Sequence, residues 1–456
     1  MIALPFLARH TVAVMGLGRS GLATARALAA SGAVVWAWDD DAGKREQAGR
    51  EGIPLVDLNA ADLTAVAMVV WSPGIPHTHP QPHPVAERAR AAGRPIVCDV
   101  ELLARARPRA TYIAITGTNG KSTTTALIAH ILRGLGREVQ AGANLGTPAL
   151  ELAPLGDGGV YVLELSSYQL ELIDSARFDV GVLLNVTPDH LGRHGGMAGY
   201  VAAKRRILDR LRPGGAAVVG VDDEHCRALA AEYSALAISV ERPVAGGVHA
   251  TDGLLVDHTG PAPRVVADLR GVATLPGRHN RQNAAAAFAA VRAVGGEPRA
   301  IAEAIATYPG LPHRQHLVAV INGVPYVNDS KATNADAAEK AIVCYERIYW
   351  IVGGLAKEGG IEALRPHFGR IAHAFLIGQA ADAFARTLDG AVAHTACGDL
   401  DTAVARAHAM AQADGRPGAV VLLAPACASW DQFTSFEARG DAFRAAVSRL
   451  TGKVSA

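Results

Sequence analysis

Gly117-Thr118-Asn119-Gly120-Lys121-Ser122-Thr123 combines the groups that bind a triphosphate: glycines with accessible backbone N–H, a lysine, and hydroxyls. Lys121 can neutralise β- and γ-phosphate charge, and the Ser122 hydroxyl can ligate Mg²⁺. A strict G-x-x-x-x-G-K phosphate loop requires glycine at position 115, where this chain has Ile115, so the loop is a shorter variant. Its flanks favour a ligand over a chance match. Tyr112–Thr116 reads as a buried strand and Thr123–Leu135 as a helix.

A second glycine motif, Gly16-Leu17-Gly18-Arg19-Ser20-Gly21, follows a strand and opens a helix over Leu22–Ala30. Asp39 ends the next strand, about 20 residues further on. Such glycines let the backbone approach a diphosphate, the helix N-terminus favours its charge, and the acid accepts from a ribose or base. Alone, the motif points to an NAD-dependent dehydrogenase, or to a tight turn with no ligand, and it does not specify the nucleotide.

The elements that must position these loops are short Val/Ile/Leu runs alternating with Ala-rich helical stretches. Strands are predicted at Thr11–Met15, Val34–Trp38, Met68–Trp71, Tyr112–Thr116, Val160–Leu165, Val180–Asn185 and Ala216–Val221. Later ones fall at Ile348–Val352, His373–Ile377 and Ala419–Ala424. Apolar runs bounded by glycines and separated by helix-length segments indicate parallel sheets covered on both faces. The expected class is α/β in three domains: a Rossmann-like domain over 1–102, a central P-loop domain over 103–310, and a Rossmann-like domain over 311–456. The joints fall near Glu101–Arg109 and at Tyr308–His313, and the texture of Ile238–Pro276 suggests a small β insertion in a mainly parallel sheet.

The bulk numbers agree with a folded, soluble protein. The 456 residues are 50% hydrophobic and 19% charged, which allows large cores, and about three domains is the length prior. Lys plus Arg number 44 against 43 Asp plus Glu, so charge gives no reason to expect a nucleic-acid or membrane partner. Five scattered cysteines without a CxxC pair argue against a disulfide framework and suit a reducing, cytoplasmic setting. No signal peptide is read at the N-terminus. His77, His79 and His83 among prolines read as a surface loop rather than a zinc site, the tryptophans as core or rim packing, and Cys427 as having no paired histidine to activate it.

The shortened loop resembles the ATP loop of the Mur ligases, enzymes that add amino acids to the peptidoglycan precursor. The resemblance continues in order through Asn144-Leu145-Gly146, Glu164-Leu165-Ser166-Ser167-Tyr168-Gln169-Leu170 and Asn185-Val186-Thr187-Pro188-Asp189-His190-Leu191. It goes on through Ala203-Lys204-Arg205-Arg206-Ile207, Gly277-Arg278-His279-Asn280-Arg281-Gln282-Asn283 and Leu311-Pro312-His313-Arg314. Asn328-Asp329-Ser330-Lys331-Ala332-Thr333-Asn334 and Pro425-Ala426-Cys427-Ala428-Ser429-Trp430-Asp431-Gln432-Phe433 complete it, the last most similar to the D-glutamate-adding branch.

The resemblance implies ATP-dependent ligation through an acyl phosphate, with UDP-N-acetylmuramoyl-L-alanine, D-glutamate and ATP as partners and Mg²⁺ at two sites. By carry-over, Gly117 to Thr123 hold ATP with Asn283 near the adenine, Arg314 near the γ-phosphate and Asp329 near the ribose. Lys121, Glu164, His190 and Lys204 carry catalysis, and Ser122, Glu164, His190 and a carbamylated Lys204 are the implied metal ligands. Carbamylation needs a neutral amine, which Arg205 and Arg206 could favour if they point the same way. Gly18, Ser20, Asp39, Asp40, Asn144 and Ser166 are the implied UDP-substrate residues, so the nucleotide at the first glycine turn becomes UDP. Thr333, Lys357, Ser429 and Phe436 are those for D-glutamate. The chain departs at Leu355, where the family usually has an acidic residue, which removes a polar contact. Closure of the third domain over ATP is implied, as is a monomer in the cytoplasm. The alternative is another Mur-type or folylpolyglutamate-type ligase; the absence of an Asp-Asn-Pro-Arg run weighs against the diaminopimelate- or lysine-adding member.

Overall fold

The computed structural model describes residues 1–450. Three separate sheets carry the chain, each mainly parallel, as the alternating pattern predicts. The first contains β1 (Thr11–Met15), β2 (Val34–Trp38), β3 (Met68–Trp71) and β4 (Ile96–Val97) in the order β2-β1-β3-β4, all parallel. Central β1 is covered on both faces, which is why its sequence is a continuous apolar run. Gly16 turns the chain at its end with φ +93°, and a Cβ there would stand 2.4 Å from Ser72 Cβ. The following helix runs over Arg19–Ala30, three residues earlier than its first apolar residue suggested, because Arg19, Ser20 and Gly21 form its first turn.

The second sheet contains nine strands: β5 (Thr111–Thr116), β6 (Val139–Ala143), β7 (Val160–Glu164), β8 (Phe178–Leu183), β9 (Leu211–Gly220), β10 (Leu236–Ser239), β11 (Val248–Thr251), β12 (Leu254–Asp257) and β13 (Arg264–Asp268). Their order is β13-β12-β11-β10-β9-β8-β5-β7-β6. Pairing is parallel from β6 to β11 and antiparallel at β11–β12 and β12–β13. The β-rich stretch expected as an insertion is thus an antiparallel extension of the same sheet. β9 starts five residues before the predicted Ala216, because its first half holds Pro213, Gly214 and Gly215, which hide a strand from pattern reading.

The stretch Glu101–Arg109, read as a joint, begins inside a helix. Asp99–Ala106 is a helix, and fully buried Glu101 accepts hydrogen bonds from the N–H groups of Asp174, Ser175 and Ala176 and pairs with Arg105. The arginines that broke the apolar pattern flank a buried carboxylate.

The contacts divide the molecule into two compact units, Met1–Leu269 with Asn280–Thr307, and Arg270–His279 with the chain from Tyr308. The second unit holds β14 (His316–Ile321), β15 (Val324–Asn328), β16 (Arg347–Gly353), β17 (Ile371–Ile377), β18 (His394–Gly398) and β19 (Ala419–Leu423) in the order β14-β15-β19-β16-β17-β18. Only β14–β15 is antiparallel, joined by Asn322 (φ +49°) and Gly323 (φ +83°), the pair a two-residue hairpin turn favours. Fully buried Trp350 donates from Nε1 to the Ala424 carbonyl at 2.8 Å. No helix among the described residues is long and apolar enough to cross a membrane.

Candidate active site

The loop between β5 and the helix Lys121–Gly134 depends on two unusual glycines. Gly117 has φ +154° and Gly120 has φ +87°, and a Cβ on Gly120 would come within 2.3 Å of Asn283 Oδ1. The helix starts at Lys121, two residues before the predicted Thr123, so Ser122 and Thr123 lie in its first turn, both nearly buried. Lys121 Nζ donates to the carbonyls of Gly117 and Thr118, each at 2.9 Å, folding over its own loop.

Asn185 and Thr118 hold the loop in shape. Asn185 Oδ1 accepts from Asn119 N–H at 2.9 Å, its Nδ2 donates to Gln282 Oε1 at 3.0 Å, and Thr118 N–H donates to the Asn185 carbonyl at 2.9 Å. The Thr118 hydroxyl meets Tyr200 at 3.1 Å and accepts from Thr187 N–H at 3.0 Å. Asn283 is buried beneath the loop, with its carboxamide bonded to Thr124 and Asn280. Asn185, Gln282 and Tyr200 were given no role from sequence; Asn185 stood inside a quoted motif, and only its distance from the loop hid its part.

Lys204 also donates to the Gly117 carbonyl, at 2.8 Å, so two ammonium groups converge on one oxygen. It is 1% exposed and lies 4.6 Å from the Tyr200 ring centroid. Burial, and then the charge of Lys121, hold its pKa well below the ordinary lysine value. Arg205 and Arg206 do not supply that effect. Arg205 pairs with Asp209 and Glu232, and Arg206 donates to the carbonyls of Leu170 and Ile173. Successive helical residues point about 100° apart, which sends them elsewhere.

Glu164 ends β7 almost fully buried. Its Oε1 accepts from Asn144 Nδ2 at 2.7 Å, while Oε2 is buried with no hydrogen-bond partner. A carboxyl oxygen left in that state suits a hard cation. His190, at φ +52°, is exposed beside Asp189 at 3.4 Å, and burial of its inner edge, opposed by Asp189, lowers its pKa. No three His, Cys, Asp or Glu converge into a ready-made cation cage among the described residues. A few protein ligands completed by phosphate and water is the usual Mg²⁺ arrangement, and the residues present fit it.

A cleft of about 540 Å³ joins these parts to the first glycine turn. Gly18, Ser20, Asn144 and Ser166 line it with Lys121, His190 and Lys204. Asp39 instead holds the turn itself, accepting from the N–H groups of Leu17 at 2.8 Å and Asp41 at 2.9 Å. Asp40 is exposed and bonded to His83 at 2.7 Å. Ser72, Pro73 and Gly74, after β3, line the cleft as well and carried no sequence signal.

Glu171 sits below the cleft against His194 (2.8 Å), His77 (3.1 Å) and Arg193 (3.3 Å). Burial would raise its carboxyl, but the hydrogen bonds from His194 and His77 outweigh that and hold it at about 2, against an ordinary 4.5. A depressed folded-state value contributes stability that is present above pH 4.5 and lost as pH falls toward 2. The urea-midpoint difference between the native protein and Glu171→Gln is therefore expected to be greatest near neutrality and to shrink below pH 4.5. A difference independent of pH would contradict the charged pairing.

In the second unit, buried Asp329 accepts from Gln315 N–H at 3.1 Å, and burial, partly offset by Arg314, pushes its carboxyl up to about 6. Arg314 has a buried Nε with no hydrogen-bond partner. Fully buried Arg439 donates to Ser330 Oγ (3.0 Å), the Ser330 carbonyl (2.9 Å) and the Cys427 carbonyl (3.1 Å), tying the Asn328–Ser330 loop to the end of β19. Ser429 is buried nearby in sequence, Thr333 and Phe436 are half-buried, and Lys357 is exposed. Leu355 exposes its side chain and exchanges two backbone hydrogen bonds with Ala428. Trp430 is 73% exposed, unlike the packing role read for the tryptophans.

The middle sheet and its shortened loop define the class first: residues 115–291 match the Mur ligase middle domain. The whole chain is 61% identical to the UDP-N-acetylmuramoylalanine--D-glutamate ligase of Paramagnetospirillum magneticum, over 98% of each sequence. It is 57% identical to the Rhodospirillum rubrum protein of the same name, over 99% of this chain and 97% of that one. Among solved structures, the UDP-N-acetylmuramate-alanine ligase MurC of Thermotoga maritima shares the fold, with a TM-score of 0.58 and 17% identity over 97% of this chain and 99% of that one. The chain belongs to the Mur ligase family, alongside relatives that carry the name D-glutamate ligase.

Proposed function

We propose that this protein joins D-glutamate to UDP-N-acetylmuramoyl-L-alanine at the expense of ATP, a step of peptidoglycan precursor synthesis that serves cell shape and division. The observation that carries this reading is the shortened phosphate loop with Lys121 and Lys204 on the Gly117 carbonyl, in a chain 61% identical to a named D-glutamate ligase.

The substrate carboxylate attacks the γ-phosphorus of ATP and ADP departs; the amine of D-glutamate then attacks the acyl phosphate, loses a proton, and phosphate leaves. Both steps build negative charge, so cations must already be in place. Lys121 and the loop N–H groups hold the phosphates. Ser122, Glu164, His190 and a carbamylated Lys204 would hold Mg²⁺ at two sites, where it would supply further neutralisation on the transferring group. The buried Lys204 amine supports the carbamate: in its neutral form it adds CO₂ and releases a proton, becoming an oxygen ligand.

Gly18, Ser20, Asp39, Asp40, Asn144 and Ser166 serve the UDP substrate, Asp39 by shaping the turn. Thr333, Lys357, Ser429 and Phe436 serve D-glutamate, and Arg314 and Asp329 complete the nucleotide site when the domain over 311–456 closes on that over 103–310. Closure excludes water from a hydrolysable intermediate. The domain over 1–102 holds the UDP end. The protein acts as a cytoplasmic monomer with no nucleic-acid or membrane partner.

Phosphate release with ATP, Mg²⁺ and UDP-N-acetylmuramoyl-L-alanine is expected to rise on adding D-glutamate and not L-glutamate. A rate indifferent to D-glutamate would remove the substrate assignment.

A further inference from the structure

Gln282, on the helix Gly277–Ala293, is buried and joins two strand ends of the middle sheet. Its Oε1 accepts from Asn185 Nδ2, after β8, at 3.0 Å, and its Nε2 donates to Asp222 Oδ2, after β9, at 3.4 Å. Asp222 is held in turn from the end of β10, accepting from Val240 N–H at 3.0 Å and from the Ser239 hydroxyl. Its neighbour Asp223 accepts from Val186 N–H at 3.1 Å, beside Asn185.

The polarity of this chain follows from backbone groups and amides, which do not titrate. Val240 N–H only donates, so Asp222 Oδ2 is an acceptor and pairs with the amide end of Gln282. The Gln282 oxygen is then left for Asn185 Nδ2, which turns Asn185 Oδ1 toward Asn119 N–H at 2.9 Å. Asn185 Nδ2 also reaches the Asn119 carbonyl at 3.2 Å, so both backbone groups of Asn119 match one orientation of the carboxamide. The loop alone would match the opposite orientation if its peptides turned over together with Asn185, a change that Gly117 and Gly120 on either side allow. Gln282 is anchored outside the loop and excludes it.

The consequence falls on Lys121. The Thr118–Asn119 peptide is trans, so its carbonyl points away from its N–H. With the N–H directed to Asn185, the Thr118 carbonyl is directed to Lys121, whose Nζ donates to it at 2.9 Å. We propose that Gln282 is a positioning residue for Lys121: by fixing the direction of Asn185 it fixes the peptide plane that holds the ammonium over the loop. The inference rests on the functional reading above, in which Lys121 meets the phosphates of ATP.

The test varies position 282 in the full chain and follows kcat, the KM for the UDP substrate and the melting temperature. Gln282→Met keeps the length of the side chain but offers Asn185 only a weak acceptor. Gln282→Glu keeps a carboxyl oxygen for Asn185 and sets its other oxygen against Asp222. Gln282→Met is expected to lower kcat about tenfold through a misplaced cation, with the KM for the UDP substrate close to native. Gln282→Glu is expected to keep kcat within about twofold of native, whatever stability it loses beside Asp222. Gln282→Ala, which cannot overfill the space, takes the place of Gln282→Met if that variant does not fold, with the same expected loss. Native kcat in the variant without an acceptor, an equal loss of kcat in Gln282→Glu, or kcat that follows melting temperature across the series would overturn the proposal while the functional reading stands. Native protein that releases no phosphate with the UDP substrate would overturn the functional reading and this role with it.

Discussion

Lys121→Ala is expected to release no phosphate above background, a loss of about 10³-fold or more in kcat, while binding of the UDP substrate stays measurable. The lysine sits at the first position of the helix Lys121–Gly134, and its ammonium is held over the loop by the Gly117 and Thr118 carbonyls. A cation already in place needs no reorganisation when γ-phosphate charge shifts during transfer, and this is why its removal acts on kcat. The glycine turn and the Asn144 and Ser166 side of the cleft persist without it, so equilibrium binding of the UDP substrate should outlast catalysis. Lys121→Arg separates charge from shape: a planar guanidinium cannot fold onto the two carbonyls as an ammonium does, so little activity is expected to return. Restored activity in that variant would show that the charge suffices without the fold onto the carbonyls, whereas loss of UDP-substrate binding together with turnover in Lys121→Ala would argue against a phosphate role.

The second large effect is at Lys204. Lys204→Ala is expected to be nearly inactive, with a loss of about 10²–10³-fold, and to recover partly when acetate or another short carboxylate is added. An ammonium this buried, beside another ammonium, is costly as a cation. Conversion to a carbamate, as proposed, would reverse its sign and turn a repulsive pair into an attractive one with Lys121. If Lys204 acted only as an ammonium tether on the Gly117 carbonyl, small amines would restore activity and carboxylates would not.

Much of the site was legible in the sequence because its first layer is local. A strand, a shortened glycine loop and a helix can be read within a window of about twenty residues, and Ile115 in place of glycine separated this loop from ordinary phosphate loops. What escaped reading comes from a distance. Asn185 grips Asn119 across 66 residues, and Asn283 meets Thr124 across 159, so neither role exists before the sheet forms. Arg205 and Arg206 show the opposite error, where adjacency in sequence suggested a shared direction that a helix forbids. The strand at Leu211 was misjudged because proline and glycine occupied its solvent end, and the Asn322-Gly323 hairpin was a plain signal left unread. The chain from Asp222 through Gln282 to Asn185 combines two residues inside quoted motifs with one outside any motif. Only the fold shows that they meet.

Trp430 has an optical consequence. Trp71 and Trp350 are sealed in apolar surroundings, whereas the indole of Trp430, adjacent to Ser429, is open to solvent. With Trp36 and Trp38 only partly covered, Trp430 is the most exposed of the five indoles, and its emission is the one that registers water at the end of β19. The segment assigned here to the incoming amino acid is intrinsically labelled.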